Sequence, residues 1–161
     1  MMLKHKRETL GYAVVILSVM VAPPAMSKDF GILTRMLYAA FLAEQGAAVC
    51  AAANPAFSSE TRGPMGGMHT YAEHIKTEVT AGLNQTETLS LLKSAADTAK
   101  AEALQAIRSL RTGSPETETA KFTRWCQTVV KTLVRQVIDT HDNQHDQIDH
   151  LIETALARRH T

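Results

Sequence analysis

The chain has 161 residues, with 17 Lys and Arg against 16 Asp and Glu, a formal charge of +1. That balance offers no basic stripe for nucleic acid or an anionic membrane surface, and aromatic residues at 5% leave little for stacking on bases. Hydrophobic residues at 45% suffice, at this length, for one domain with its own core.

The N-terminus sets Lys4, Lys6 and Arg7 before an apolar run from Tyr12 to Ala22 and closes on Ala25-Met26-Ser27. This is the three-part layout of a secretory signal peptide, and the run falls short of the roughly 20 residues needed to span a bilayer. We therefore expect residues 1–27 to be removed and residues 28–161 to form a periplasmic or secreted helical-bundle domain. Without its leader the chain carries a formal charge of −1. Export also sets the redox state: two cysteines, Cys50 and Cys126, in an oxidising compartment predict one disulfide. Chain-entropy accounting gives a bridge of this span about 4.5 kcal/mol as an upper figure.

From Phe30 to Ala53 the residues are helix formers without proline, and Leu33, Leu37, Ala40, Phe41, Ala48 and Ala51 recur at helical spacing. Asn54-Pro55 ends that helix, because proline pushes the preceding residue out of the helical region. Residues 54–67 hold two prolines and three glycines and read as a loop, long enough to be functional or mobile. A short helix follows over 68–81, with Gly82 as its C-terminal cap. Asn84, with Glu87 three residues on, starts a third helix by a capping box. In it Leu89, Leu92, Ala96, Ala99, Ala103, Ala106 and Leu110 alternate by three and four, a coiled-coil seam.

Thr112-Gly113 ends helix three, and Ser114-Pro115-Glu116 opens a fourth. Its seam runs Phe122, Cys126, Val129, Leu133, Val137 and, in the same register, His141, Gln144, Ile148, Leu151 and Ala155. Unbroken to Arg159, that helix would be about 68 Å long, against roughly 30 to 40 Å for a domain of this size. It must break or protrude, and the polar stretch near 139–146 is the place. The expected fold is a single all-α bundle of about four helices, the last one broken, stapled by Cys50–Cys126.

Two stretches carry ligand chemistry. In DTHDNQHDQIDH, residues 139–150, His141 and His145 lie one helical turn apart and Asp149 one turn further, a ligand set for zinc and other first-row divalent ions. The pattern lacks the glutamate of His-Glu-x-x-His, and three donors on one helix need another segment to complete a coordination shell. In the loop 65–74, which begins within PMGGMH, Met65, Met68 and His69, with His74 as a further imidazole, form a softer set suited to copper(I); the alternative is that both methionines fill gaps in packing.

Histidines near an apolar seam also suggest acid-sensitive packing. No nucleophile elbow, P-loop or dinucleotide fingerprint is present, so nothing points to catalysis. The expected activity is binding without a resident cofactor, most simply an interaction with another periplasmic protein. A copper or zinc binder and a pH-responsive chaperone are the alternatives.

Overall fold

A computed structural model describes residues 31–157, and the expected signal peptide lies outside them. Helix α1 (Gly31–Ala53) is followed by α2 (Ala56–Glu60), α3 (Met68–Thr80) and α4 (Gln85–Leu110). Next come α5 (Pro115–Trp125), a π-helical stretch (Cys126–Val130), α6 (Lys131–Asn143) and α7 (His145–Ala157). Among the described residues there is no strand, and the all-α expectation holds.

α1 is the central helix and packs against α3, α4, α6 and the π-helical stretch. It presents Leu33, Leu37, Ala40 and Ala43, all fully buried, to that core. Its segment Leu33–Ala53 is long and apolar enough to cross a membrane by length and composition, with mean hydropathy 1.4; such a helix is also what the middle of a bundle requires. The Cys50–Cys126 disulfide forms as expected, with Cα atoms 5.7 Å apart, and ties the last turn of α1 to the π-helical stretch. One turn back, Gly46 lets the two segments close up: a Cβ there would lie 3.0 Å from a methyl of Val130.

Residues 54–67 are more ordered than a loop reading implies. The Asn54 side chain accepts from the Ala56 N–H and its carbonyl from the Phe57 N–H, which starts α2 and drives Phe57 into the core at 1% exposure. Gly63 and Gly66 then exchange two backbone hydrogen bonds of 2.9 and 3.0 Å, closing a tight turn that puts Gly66 at φ +115°. Only glycine adopts that angle without strain.

Gly82 plays a different part from the expected left-handed cap. Its φ is not positive; it is small because Leu156 of α7 sits where a Cβ would be, 2.4 Å away.

The capping box at Asn84 is present in both directions, 3.0 Å each way. Beyond it Ala99 and Ala103 are buried as expected, but in the first half of the helix Leu91 and Ala95 take the inner side in place of Leu92 and Ala96, and Leu89 is 61% exposed. Spacing by four alone is an oblique ridge, the kind that packs helices at about 50° and not along a coiled-coil axis. Tyr38 of α1 reaches across it to hydrogen-bond the Glu102 carboxylate, and burial with that carboxylate raises the phenol's pKa far above its ordinary value.

At the fourth helix, Ser114 caps by accepting from the Thr117 N–H, with Pro115 in the first turn. The π-helical stretch inserts extra backbone per turn, and this moves the buried positions from the expected Val129 and Leu133 to Val130 and Val134. The break falls inside the expected interval, at Gln144, which leaves helical geometry (φ −127°, ψ 24°) between α6 and α7. Gln144 is exposed there, whereas His141 before it and Ile148 after it are buried as the seam required. Past the break Ile152 replaces Leu151 on the inner side, because the kink rotates α7.

Candidate metal centre

The break brings together what α3 and the end of α6 carry separately. α3 places Ile75 and Val79 in the core, and this register turns His74 and Glu78, one helical turn apart, toward α6 and α7. His74 Nδ1 lies 3.0 Å from Nε2 of His141. Glu78 completes the group: Oε1 is 3.3 Å from His74 Nδ1 and Oε2 is 3.7 Å from His141 Nε2. On the far side Oε1 is 2.9 Å from His145 Nε2, and His145 Nδ1 is 3.1 Å from Asp149 Oδ2.

His141 is only 4% exposed, and its surroundings decide its tautomer. Asp142 Oδ1 lies 3.0 Å from its Nδ1; in the tautomer with the proton on Nδ1 the ring donates there and accepts at Nε2, where His74 Nδ1 stands at hydrogen-bonding distance. Asp142 is itself held: Oδ2 accepts from the hydroxyl of Tyr71 at 2.8 Å, and that hydroxyl accepts from the Met65 backbone N–H at 3.2 Å. Tyr71 is fully buried, and burial raises its pKa, which keeps it a donor to Asp142. Edge-to-face contacts of the His141 ring with Tyr71 and His74, at 5.3 and 5.0 Å between centroids, fix its plane.

Behind His141 lies an apolar cleft of about 260 Å³ between α1 and α6, walled by Met36, Leu42, Ile75, Leu133 and Val137. It gives the centre a low-dielectric back wall, which strengthens electrostatic interactions on its inner side. The outer side differs. The side chains of His145 and Asp149 are 47% and 51% exposed, and Asp149, followed by Glu78, raises the His145 pKa above its ordinary value.

Chemically the group is three imidazoles and carboxylates from three helices, α3, α6 and α7. Neutral imidazole carries its proton on either nitrogen. With the His74 proton on Nε2, its Nδ1 joins His141 Nε2 and Glu78 as lone-pair donors facing a common point. Tetrahedral zinc with bonds of about 2.0–2.1 Å sets its donors roughly 3.3 Å apart; the two imidazole nitrogens at 3.0 Å and His74 to Glu78 Oε1 at 3.3 Å are near that figure, while the 3.7 Å approach to His141 is made by the other oxygen, Oε2.

Of the residues singled out from sequence, His141, His145 and Asp149 do come together, through Glu78. Glu78 stands in no ligand motif in the sequence, and His74 adjoins the methionine loop there. The i, i+4 pair His74 and Glu78 was the signal for them, but pairing it with His141 needed the fold. The methionine set is dispersed. Met68 is buried in the core, whereas its neighbour His69, about 100° further round the helix, is exposed and pairs with Glu44 of α1. Met65 packs against the core and holds Tyr71 through its backbone. No family model, curated protein or solved structure matches this chain.

Proposed function

We propose that the protein is an exported metal-binding bundle that holds a divalent first-row ion of the zinc class on His74, Glu78 and His141. The observation that carries this is the approach of His74 Nδ1 to His141 Nε2, 3.0 Å apart, with a Glu78 oxygen near each and a carboxylate behind His141. A carboxylate on the remote nitrogen is the usual support of a metal-binding histidine. Imidazole with carboxylate suits Zn(II) or Cu(II), while Cu(I) prefers sulfur donors. The basic, apolar and small-residue N-terminus and the disulfide support an extracytoplasmic setting.

Elemental analysis of protein purified without a histidine tag tests the proposal. Zinc or copper is expected in stoichiometric amount and lost in His74→Ala and His141→Ala. At zinc a hundredfold above Kd, linkage predicts about 2.7 kcal/mol of stabilisation, roughly 8–12 °C in Tm for a domain this size. Protein that stays metal-free after titration with both ions removes the reading.

A protein-interaction role has one observation in its favour. Leu89 and Leu104 of α4 are 61% and 44% exposed and lie about 60° apart around the helix, two apolar contacts on a face that also carries Lys93, Asp97 and Lys100. Pull-down from a periplasmic extract with wild type and Leu89→Ser/Leu104→Ser tests it, the variant being expected to lose the partner.

A further inference from the structure

Resting on the metal-binding reading, we infer that the centre takes two divalent ions, with Glu78 as a carboxylate bridge between an inner site on His74 and His141 and an outer site on His145 and Asp149.

The donors fall into two sets of three that share Glu78. In each set, His74–Glu78–His141 and Glu78–His145–Asp149, the ligand atoms lie within 4.8 Å of one another. An ion with bonds of about 2.0–2.2 Å spans donors no more than roughly 4.4 Å apart, so small side-chain rotations close either set around its own ion. Glu78 touches both sets: Oε1 lies between them, 3.3 Å from His74 Nδ1 and 2.9 Å from His145 Nε2, while Oε2 approaches His141 Nε2 at 3.7 Å. A carboxylate used in this way holds two ions about 3.5–4 Å apart, the spacing of dinuclear centres.

Charge and position agree with two ions of unequal grip. Around the inner set Glu78 lies 3.3 Å from His74 and Asp142 3.0 Å from His141, two negative charges set against one divalent ion. Asp149 brings a further carboxylate on the outer side, beyond what a single inner ion uses. His141 is 5% exposed by side chain, against 47% for His145 and 51% for Asp149, so the inner ion is shielded and the outer one meets solvent. With three protein donors each, both ions keep positions for water. The inner site joins α3 to α6 and the outer joins α3 to α7, so the pair spans the break at Gln144.

The test is the stoichiometry of zinc on tag-free, oxidised protein, measured by elemental analysis after gel filtration from a zinc excess. Two ions per chain are expected in wild type, and one in His145→Ala/Asp149→Ala, whose exposed side chains leave the core intact. A competing chelator should strip the outer ion first, in a separate phase. Glu78→Ala should lose both ions with its helical circular dichroism retained. One ion in wild type, unchanged by His145→Ala/Asp149→Ala, overturns the two-ion centre and leaves the metal-binding reading standing. No ion in any of them overturns both.

Discussion

Asp142 Oδ1 lies 3.0 Å from Nδ1 of His141, and the two residues are neighbours in the chain. The carboxylate thus takes the proton-bearing nitrogen of the buried imidazole and leaves the other free to ligate. Removing it in Asp142→Ala should lower metal affinity by about 10–100-fold while every direct ligand stays in place. Competitive titration against a chromophoric chelator reads this directly. Tyr71→Phe, which removes only the donor to Asp142, should give a smaller loss of the same sign. Equal affinity in Asp142→Ala and wild type would mean that the His141 tautomer is set elsewhere.

The disulfide should matter for stability and not for the centre. Cys50 and Cys126 join α1 to the π-helical stretch, several turns before His141 on the same continuous helix. Replacing both by alanine should cost about 2–5 kcal/mol, seen as a lower urea midpoint. Zinc stoichiometry at low urea should be unchanged.

What the sequence disclosed of this fold is what local chemistry dictates. The stop at Asn54-Pro55, the caps at Asn84 and Ser114 and the break within 139–146 depend on a few adjacent residues, and all four are present. In α4 the seam is displaced by one residue at Leu91 and Ala95, because alanine is apolar enough to fit either face of that helix. Packing against α1 selects Ala95, which is buried, over Ala96, which is exposed. The π-helical shift to Val130 and Val134 was likewise invisible, since nothing in CQTVV distinguishes it from an ordinary turn. The centre was half legible. His141, His145 and Asp149 share one helical side by spacing, but Glu78, 63 positions before His141 in the chain, is brought to them by tertiary packing.

His69 offers a pH test separate from the centre. Glu44 accepts from it by hydrogen bond and adds charge attraction, which together raise the His69 pKa above 6.5. A group whose pKa is raised on folding contributes stability that is present in full below the unfolded value and lost as pH rises through the folded one. Relative to His69→Gln, wild type should therefore have the higher urea midpoint at about pH 6. The difference should vanish on the alkaline side of the raised value. The pair is exposed, so the effect is small. A gap that widens with rising pH would contradict the assignment of Glu44 as its partner.

Gly63 links the turn after α2 to His141 through Tyr71 and Asp142. A Cβ at this position would lie 2.4 Å from the Tyr71 hydroxyl and 2.8 Å from a methyl of Ile138. Both neighbours are buried, Tyr71 fully and Ile138 at 7% exposure, so neither can step aside freely. Gly63→Ala should destabilise the fold by about 1–3 kcal/mol through overpacking. The displaced hydroxyl would also pull away from Asp142, so metal affinity should fall in the direction seen for Tyr71→Phe. The double variant Gly63→Ala/Tyr71→Phe separates the two effects: with the hydroxyl gone the closest clash is relieved, and stability should recover relative to Gly63→Ala. Affinity should stay at the Tyr71→Phe level. If Gly63→Ala left affinity at the wild-type value while lowering stability, the turn would support the fold without positioning His141.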